Sequence, residues 1–309
     1  MSSLQFQLFG KFRVHRDSQS WEGFDSGKEQ ELLCYLLVYR DRFHPREALA
    51  SMLWGNTSTE RSKKYLRQAL WRLNAAFDVS QPKCPSLLLV EHDWVQINLS
   101  HDVWLDVAVF EQASAATDGI SGKRLTRTGV ETLKEAVDLY SGDLLSGWYQ
   151  DWCLFERERF QNTYLLMLDK LMSYAIEHGE YETGQGYGSK ILQIDRASER
   201  TYRRLMQLQY MAGDRTGALR QYRRCEFALD QELGVKPERR TQNLYEQIRA
   251  DKLGQSMPHD FENAFTTAPS PPEVLGRLKR LQIVLAAVQK RIQRDISAVE
   301  DGARIKPTK

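Results

Sequence analysis

The sequence predicts a mainly α chain, with a small α+β domain at the N-terminus followed by an all-α array of helical repeats. Three observations carry this. Apolar residues alternate with period two near the start; three helical periodicities and a pair of strands follow before residue 100; and a helix, glycine turn, helix signature recurs further on at a shift of 34 residues. At 309 residues, two domains are expected rather than one.

Composition narrows the function classes. The hydrophobic fraction of 41% supplies a sizeable core. The longest apolar runs, residues 32–38 and 87–90, fall far below the roughly 20 residues of a spanning helix, and residues 1–30 hold no apolar stretch behind a basic end. A soluble, cytoplasmic protein with no membrane contact is expected. Cys34, Cys84, Cys153 and Cys225 are too widely spaced for a metal knuckle or a redox pair, so they read as reduced packing residues and no metal site is expected. Lys and Arg number 43 against 41 Asp and Glu, and residues 1–110 carry 13 of each sign. Any nucleic-acid contact must therefore come from a local cluster on one element, because no globally positive field exists.

The elements follow in order. Leu4, Phe6 and Leu8, then Phe12 and Val14 around Gly10, have the period of half-buried strands joined by a turn. Ser26 and Glu29 form a capping box before a helix whose apolar face is Leu32, Leu33, Leu36 and Leu37. Pro45 suits the first position of a short second helix carrying Leu49, Met52 and Leu53, which Gly55 and Asn56 stop. Thr57 and Glu60 form a second capping box, and the helix behind it places Leu66, Leu70, Leu73 and Phe77 on one stripe. At 100° per residue, its opposite face carries Arg61, Lys64, Arg67, Gln68, Trp71 and Arg72. After Pro82 and Pro85, residues 87–91 and 94–99 read as two strands linked by His92 and Asp93.

Strands, three helices and a hairpin are the order of a winged helix-turn-helix, and the leading sheet marks the OmpR or PhoB type. The segments LQFQLFGKFRV, GKEQELLCYLL, REALASMLWG and YLRQALWRLNAAF resemble the DNA-binding domain of the SARP and AfsR group of bacterial regulators. Further on, VWLDVAVFEQA, LYSGDLLSGWYQDWCLFERERF and RTGALRQYRRCEFALDQELGVKPERRTQNLYEQI resemble the bacterial transcriptional activator domain that follows it in that family. The resemblance implies that the third helix enters the major groove of promoter DNA and that the hairpin touches flanking backbone or minor groove. It also implies activation of transcription with RNA polymerase as partner.

Domain limits follow: a winged helix at residues 1–100, an activator domain of TPR-like helices at 101–252, a linker at 253–272 and an amphipathic helix at 273–300. The repeat rests on Glu177, Gly179, Glu180 and Tyr181, which recur in kind as Met211, Gly213, Asp214 and Arg215. In the last helix, Leu278, Leu281, Leu285, Val288 and Ile292 form a short heptad seam that suits either a cap on the repeat array or a homodimer coil.

Arg61, Lys64, Arg67, Gln68, Trp71 and Arg72 are the candidate DNA-binding residues, with Lys28, His92 and Trp94 as lesser backbone contacts. Arg67 and Arg72 can pair bidentately with guanine, Gln68 can read adenine, and Lys64 or Arg61 can neutralise phosphates. The alternative for this face is a solvated amphipathic surface. Trp71, where the family often has a small residue, and Asn74, where relatives often carry Arg, also fit altered or lost groove binding.

A second cluster, Arg196, Arg200, Arg203 and Arg204 on one repeat helix with Arg220, Arg223 and Arg224 on the next, can line a shared groove for an acidic partner segment or an anionic effector such as a cyclic dinucleotide. No resident cofactor is expected. A rival function follows from this groove and from Trp71: a protein-interaction module or small-anion receptor built on a repurposed winged helix. Catalysis is not expected. Gly184, Gly186 and Gly188 follow no strand and precede no Lys-Ser or Lys-Thr pair. The histidines are isolated in sequence, and Asp143, Asp151, Glu156 and Glu158 read as cap and salt-bridge residues.

Overall fold

Strand β1 (Leu4–Gln7) alternates buried and half-buried side chains, as its period-two pattern requires, and pairs antiparallel with β2 (Arg13–Arg16) across the turn at Gly10. That turn holds Gly10 at φ +79°, a left-handed conformation that favours glycine. The computed structural model describes residues 4–16, 19–20, 27–78, 87–98 and 103–253. Strand β3 (Gln19–Ser20) extends β2, and the four-stranded order is β3-β2-β1 followed by β7 (Val103–Leu105), which lies parallel to β1. Residues beyond position 100 thus complete the N-terminal sheet.

The three helices are α1 (Gly27–Val38), α2 (Arg46–Trp54) and α3 (Thr59–Asp78). Leu32, Leu33, Leu36 and Leu37 are buried on α1, and Leu66, Leu70, Leu73 and Phe77 on α3, so both apolar faces turn inward as their spacing requires. Two helix starts differ from expectation. Helix α3 begins at Thr59, two residues after the anticipated cap, and the Thr57 hydroxyl donates back to the Trp54 carbonyl at 2.9 Å instead of capping forward. Pro45 flanks α2 rather than opening it. With His44 it forms the short strand β4 (His44–Pro45), which pairs with β6 (Trp94–Ile97), and that pairing holds Pro45 in extended backbone. Strand β5 (Leu88–Val90) completes a three-stranded sheet of order β4-β6-β5. Ser26, Pro82, Cys84 and Pro85 lie outside the described residues, as do the linker from residue 254 and the seam from Leu278 to Ile292.

The remaining helices are α4 (Asp106–Ala116), α5 (Arg127–Leu139), α6 (Asp151–Glu177), α7 (Tyr181–Ile194), α8 (Glu199–Met211), α9 (Arg215–Leu233) and α10 (Arg239–Arg249). The repeat has a direct structural basis. Helix α6 ends at Glu177 and α8 at Met211, and the glycine two residues on, Gly179 or Gly213, adopts positive φ before the next helix starts. Asp214 then caps α9 by accepting from the Gly217 N–H at 2.7 Å. Gly184 and Gly188 are buried on α7, where added Cβ atoms would meet Leu208 and Leu205 of α8.

The described residues up to Tyr245 form one compact unit, and a second begins at Glu246. Within the first, one continuous core runs from Leu4 and Phe6 through α1 and α3 to Phe110, Phe160 and Leu208. Phe9 packs edge-on against Phe110 and Phe160, at ring centroid distances of 5.0 and 5.4 Å. Asp106 stitches the sheet to α4 by accepting from the Leu8 and Phe9 N–H groups at 2.7 and 2.9 Å. A charged chain adds to this. Arg40 pairs with Glu111 of α4, Glu111 with Arg159 of α6, and Arg159 with Glu156, at 2.5, 2.7 and 2.5 Å. The winged helix and the helices that follow therefore share one framework.

Candidate nucleic-acid interface

Helix α3 is amphipathic for a reason legible residue by residue. Its core stripe sits against α1 and α2, and most side chains half a turn away are exposed. Arg61, Lys64, Arg67 and Gln68 are exposed along that outer side, and Trp71 is 70% exposed. The result is an open ridge of three cations, one amide and one indole. Guanidinium groups fit the paired acceptors of guanine, a Gln amide fits adenine, and Lys suits a phosphate, so the ridge has the donor types that a major groove reads.

Arg72 departs from the expected set. It lies at the edge of the ridge nearest α1, where its Nη1 donates to Glu29 Oε1 at 2.7 Å. Glu29 is buried, and this pairing offsets the cost of holding its charge away from water. The first task of Arg72 is thus to fasten α3 to α1. Lys28 is similarly engaged, pairing with buried Glu31 at 2.8 Å. Asn74 is half-buried and has contacts of its own.

The β5–β6 hairpin is held to α2 by Arg46. Its backbone N–H donates to the Asp93 carbonyl at 2.9 Å, and its guanidinium donates to the Glu91 carbonyl at 3.2 Å. At the tip His92 is exposed and its Nδ1 lies 2.7 Å from Asp93 Oδ1, while Trp94 is 43% exposed. Exposed Leu89, Val90 and Phe43 accompany Trp94. Sequence reasoning passed over Arg46 and this apolar group. Arg46 reads as one more charge at a helix start, and strand alternation does show that Leu89 leaves the core, had it been followed.

The arginine cluster is not gathered into one groove, because Arg200, Arg203 and Arg204 are drawn to different carboxylates. Arg200 and Arg204 both pair with Asp169 of α6, at 3.1 and 2.5 Å. Arg203 instead turns to Glu199, Glu238 and Thr241, at 3.6, 3.3 and 2.9 Å. Burial holds the Arg204 guanidinium below its usual range, with Asp169 opposing that shift. Arg220 donates to the Thr216 carbonyl of its own helix, Arg196 and Arg223 are exposed, and Arg224 leans on Gln221. Among the described residues no group of three or more His, Cys, Asp and Glu side chains is placed to hold a metal. Cys34, Cys153 and Cys225 are buried free thiols, and burial pushes the Cys225 thiol up to about 12, which suits packing rather than reactivity.

Residues 105–249 match the family model described as the bacterial transcriptional activator domain. This segment is similar to the domain of that family. Helices α4 to α10 fall within that match, and the first sheet, three helices and hairpin precede it. The chain is also similar to "Regulatory protein AfsR" of Streptomyces coelicolor, with 25% identity over 247 residues, covering 80% of this chain and 24% of that protein. It thus spans about a quarter of that relative, which is named for regulation rather than catalysis. Among solved structures, Mycobacterium tuberculosis EmbR in complex with a low affinity phosphopeptide aligns over 82% of this chain and 66% of its own, with a TM-score of 0.66 and 16% identity. That likeness establishes the mainly α fold. The resemblance to the SARP and AfsR group read from the sequence therefore stands. No described helix is long and apolar enough to cross a membrane.

Proposed function

We propose that this chain is a sequence-specific DNA-binding regulator of transcription, and an activator, in which the outer ridge of α3 enters the major groove. The observation that supports this best is that Arg61, Lys64, Arg67, Gln68 and Trp71 stand exposed together on the helix preceding the hairpin. Arg67 and Gln68 read base edges, Arg61 and Lys64 neutralise phosphates, and Trp71 covers thymine methyls. His92 and Trp94 touch the flanking backbone. The activator domain presents this assembly to RNA polymerase, in the cytoplasm, and paired copies read repeated half-sites.

The test is a gel-shift titration of the full chain on fragments of its own genome, with Arg67→Ala beside the unaltered protein. Loss of one bidentate arginine costs about 1–3 kcal/mol, so the variant weakens specific binding about tenfold or more and relaxes preference at one base pair. Equal retention of both proteins would remove α3 from the interface. Exposed Trp71 with Phe43, Leu89 and Trp94 favours a second reading, a winged helix that binds protein. Salt separates the two. Log affinity against log salt falls with slope of about −0.9 per neutralised phosphate for duplex DNA, and is nearly flat for an apolar protein contact.

A further inference from the structure

Between α7, α8 and α9 lies a cavity of about 340 Å³, within the size range of small-molecule sites. It is separate from the α3 ridge, and of the dispersed arginines Arg224 lines it. Gln185, Gln209, Gln221, Arg224 and Tyr202 line it beside the apolar side chains of Leu192 and Leu205. Tyr202 is 7% and Gln221 5% exposed, so polar groups here have been carried into the body of the domain at a cost.

Two details define what would offset that cost. The Gln209 side-chain oxygen is buried and has no hydrogen-bond partner among the described residues, which leaves an acceptor open to an N–H or O–H donor. Arg224 uses one nitrogen on Gln221 Oε1, at 3.4 Å, and its guanidinium retains further donors toward the cavity. Burial raises the Tyr202 pKa, Cys225 adds to the rise, and the Arg224 guanidinium opposes it. One cation and several neutral amides suit a single negative charge. A doubly charged phosphoryl group would meet only one guanidinium in this lining.

We infer that this cavity is a binding site for an α-carboxylate carried next to an N–H donor, the carboxylate on Arg224 and the N–H on the Gln209 oxygen. A planar guanidinium matches a carboxylate in a bidentate fork, and the Gln185 and Gln221 amides can each donate and accept around it. A free amino acid and the C-terminus of a peptide share this chemistry. Either would make the activator domain responsive to a signal by binding between helices whose mutual packing it then stabilises.

The experiment is a thermal-shift and calorimetric titration of the full chain. The probes are the individual L-amino acids, their carboxamides, and tripeptides with free or amidated C-termini. The inference expects at least one free carboxylate to raise the Tm with saturating dose dependence, and its amide to be about tenfold weaker or inert. Tripeptides alone would point to a protein terminus, and amino acids alone to a metabolite. Arg224→Met should weaken binding about tenfold, while Arg220→Met, outside the cavity, leaves it unchanged. Gln209→Met should abolish binding yet hold or raise the Tm of the unliganded protein, because an orphaned acceptor is replaced by an apolar chain of similar size. The inference is overturned if no probe shifts the Tm, if Arg224→Met binds as before, or if Gln209→Met lowers the unliganded Tm.

Discussion

Trp71 and Arg72 are neighbours in the chain and meet opposite fates. The indole is 70% exposed, whereas the adjacent guanidinium closes on buried Glu29. Trp71→Ala should therefore change unfolding free energy by less than about 0.5 kcal/mol, as measured in urea, while reducing operator affinity. Arg72→Ala should do the reverse. It removes the Arg72 charge from beside the buried Glu29 carboxylate and costs about 1–2 kcal/mol, below the range for fully buried pairs because the guanidinium is 41% exposed. Its effect on DNA affinity should stay well under that of Arg67→Ala. Equal affinity losses from the two arginine variants would return Arg72 to the reading face.

Helix α7 offers a controlled comparison at the scale of one element. Gly186 has open space where a methyl group would sit, so Gly186→Ala gains helix propensity and should stabilise by about 0.5–1 kcal/mol. Gly188 is one half-turn on, and a Cβ there would lie 2.6 Å from Leu205 Cδ2 and 2.9 Å from its Cγ. Gly188→Ala must displace the Leu205 side chain and should destabilise by about 1–2 kcal/mol net of the same propensity gain. Chemical denaturation of the two variants in parallel checks this, and a stabilising Gly188→Ala would contradict the close approach of α7 to α8. The junction between β1 and α4 carries a pH signature. Burial raises the Asp106 pKa to about 6 from 3.8, with the N–H groups of Phe9 and Leu8 opposing the shift. Between pH 4 and 6 the folded protein thus holds a proton that the unfolded chain has released, so stability falls as pH rises through that window and levels off above it. The loss amounts to about 3 kcal/mol at most. Asp106→Asn keeps an acceptor for the N–H groups but does not titrate, so the difference in stability between the two proteins should change with pH only over that interval.

At the scale of the whole molecule, the shared core from Leu4 to Leu208 makes the winged helix and the first repeats one cooperative body. The parallel pairing of β1 with β7 and the Phe9 contacts with Phe110 and Phe160 cross the line between the two segments. Scanning calorimetry should show a single transition for these elements. A fragment of residues 1–102 should melt well below the full chain, or show no cooperative transition, because it leaves β1 an edge strand and exposes Phe9. Independent melting of that fragment at the temperature of the full chain would show that the crossing contacts contribute little.

What the sequence determined by itself was whatever depends on spacing within one segment. The stripe of Leu66, Leu70, Leu73 and Phe77 defines the inner face of α3 and so the outward set Arg61, Lys64, Arg67, Gln68 and Trp71. The recurrence of Gly179 as Gly213 likewise locates two helix turns without any knowledge of their neighbours. Tertiary structure alone decided which partner each outward charge would find. Arg72 reaches Glu29 across 43 residues, Arg204 reaches Asp169 across 35, and the parallel strand that completes the first sheet comes from beyond residue 100. Periodicity encodes which side of an element avoids water, because burial is a property of one face. It carries no record of what lies opposite that face, and a charge is free or spent according to the neighbour that packing brings to it.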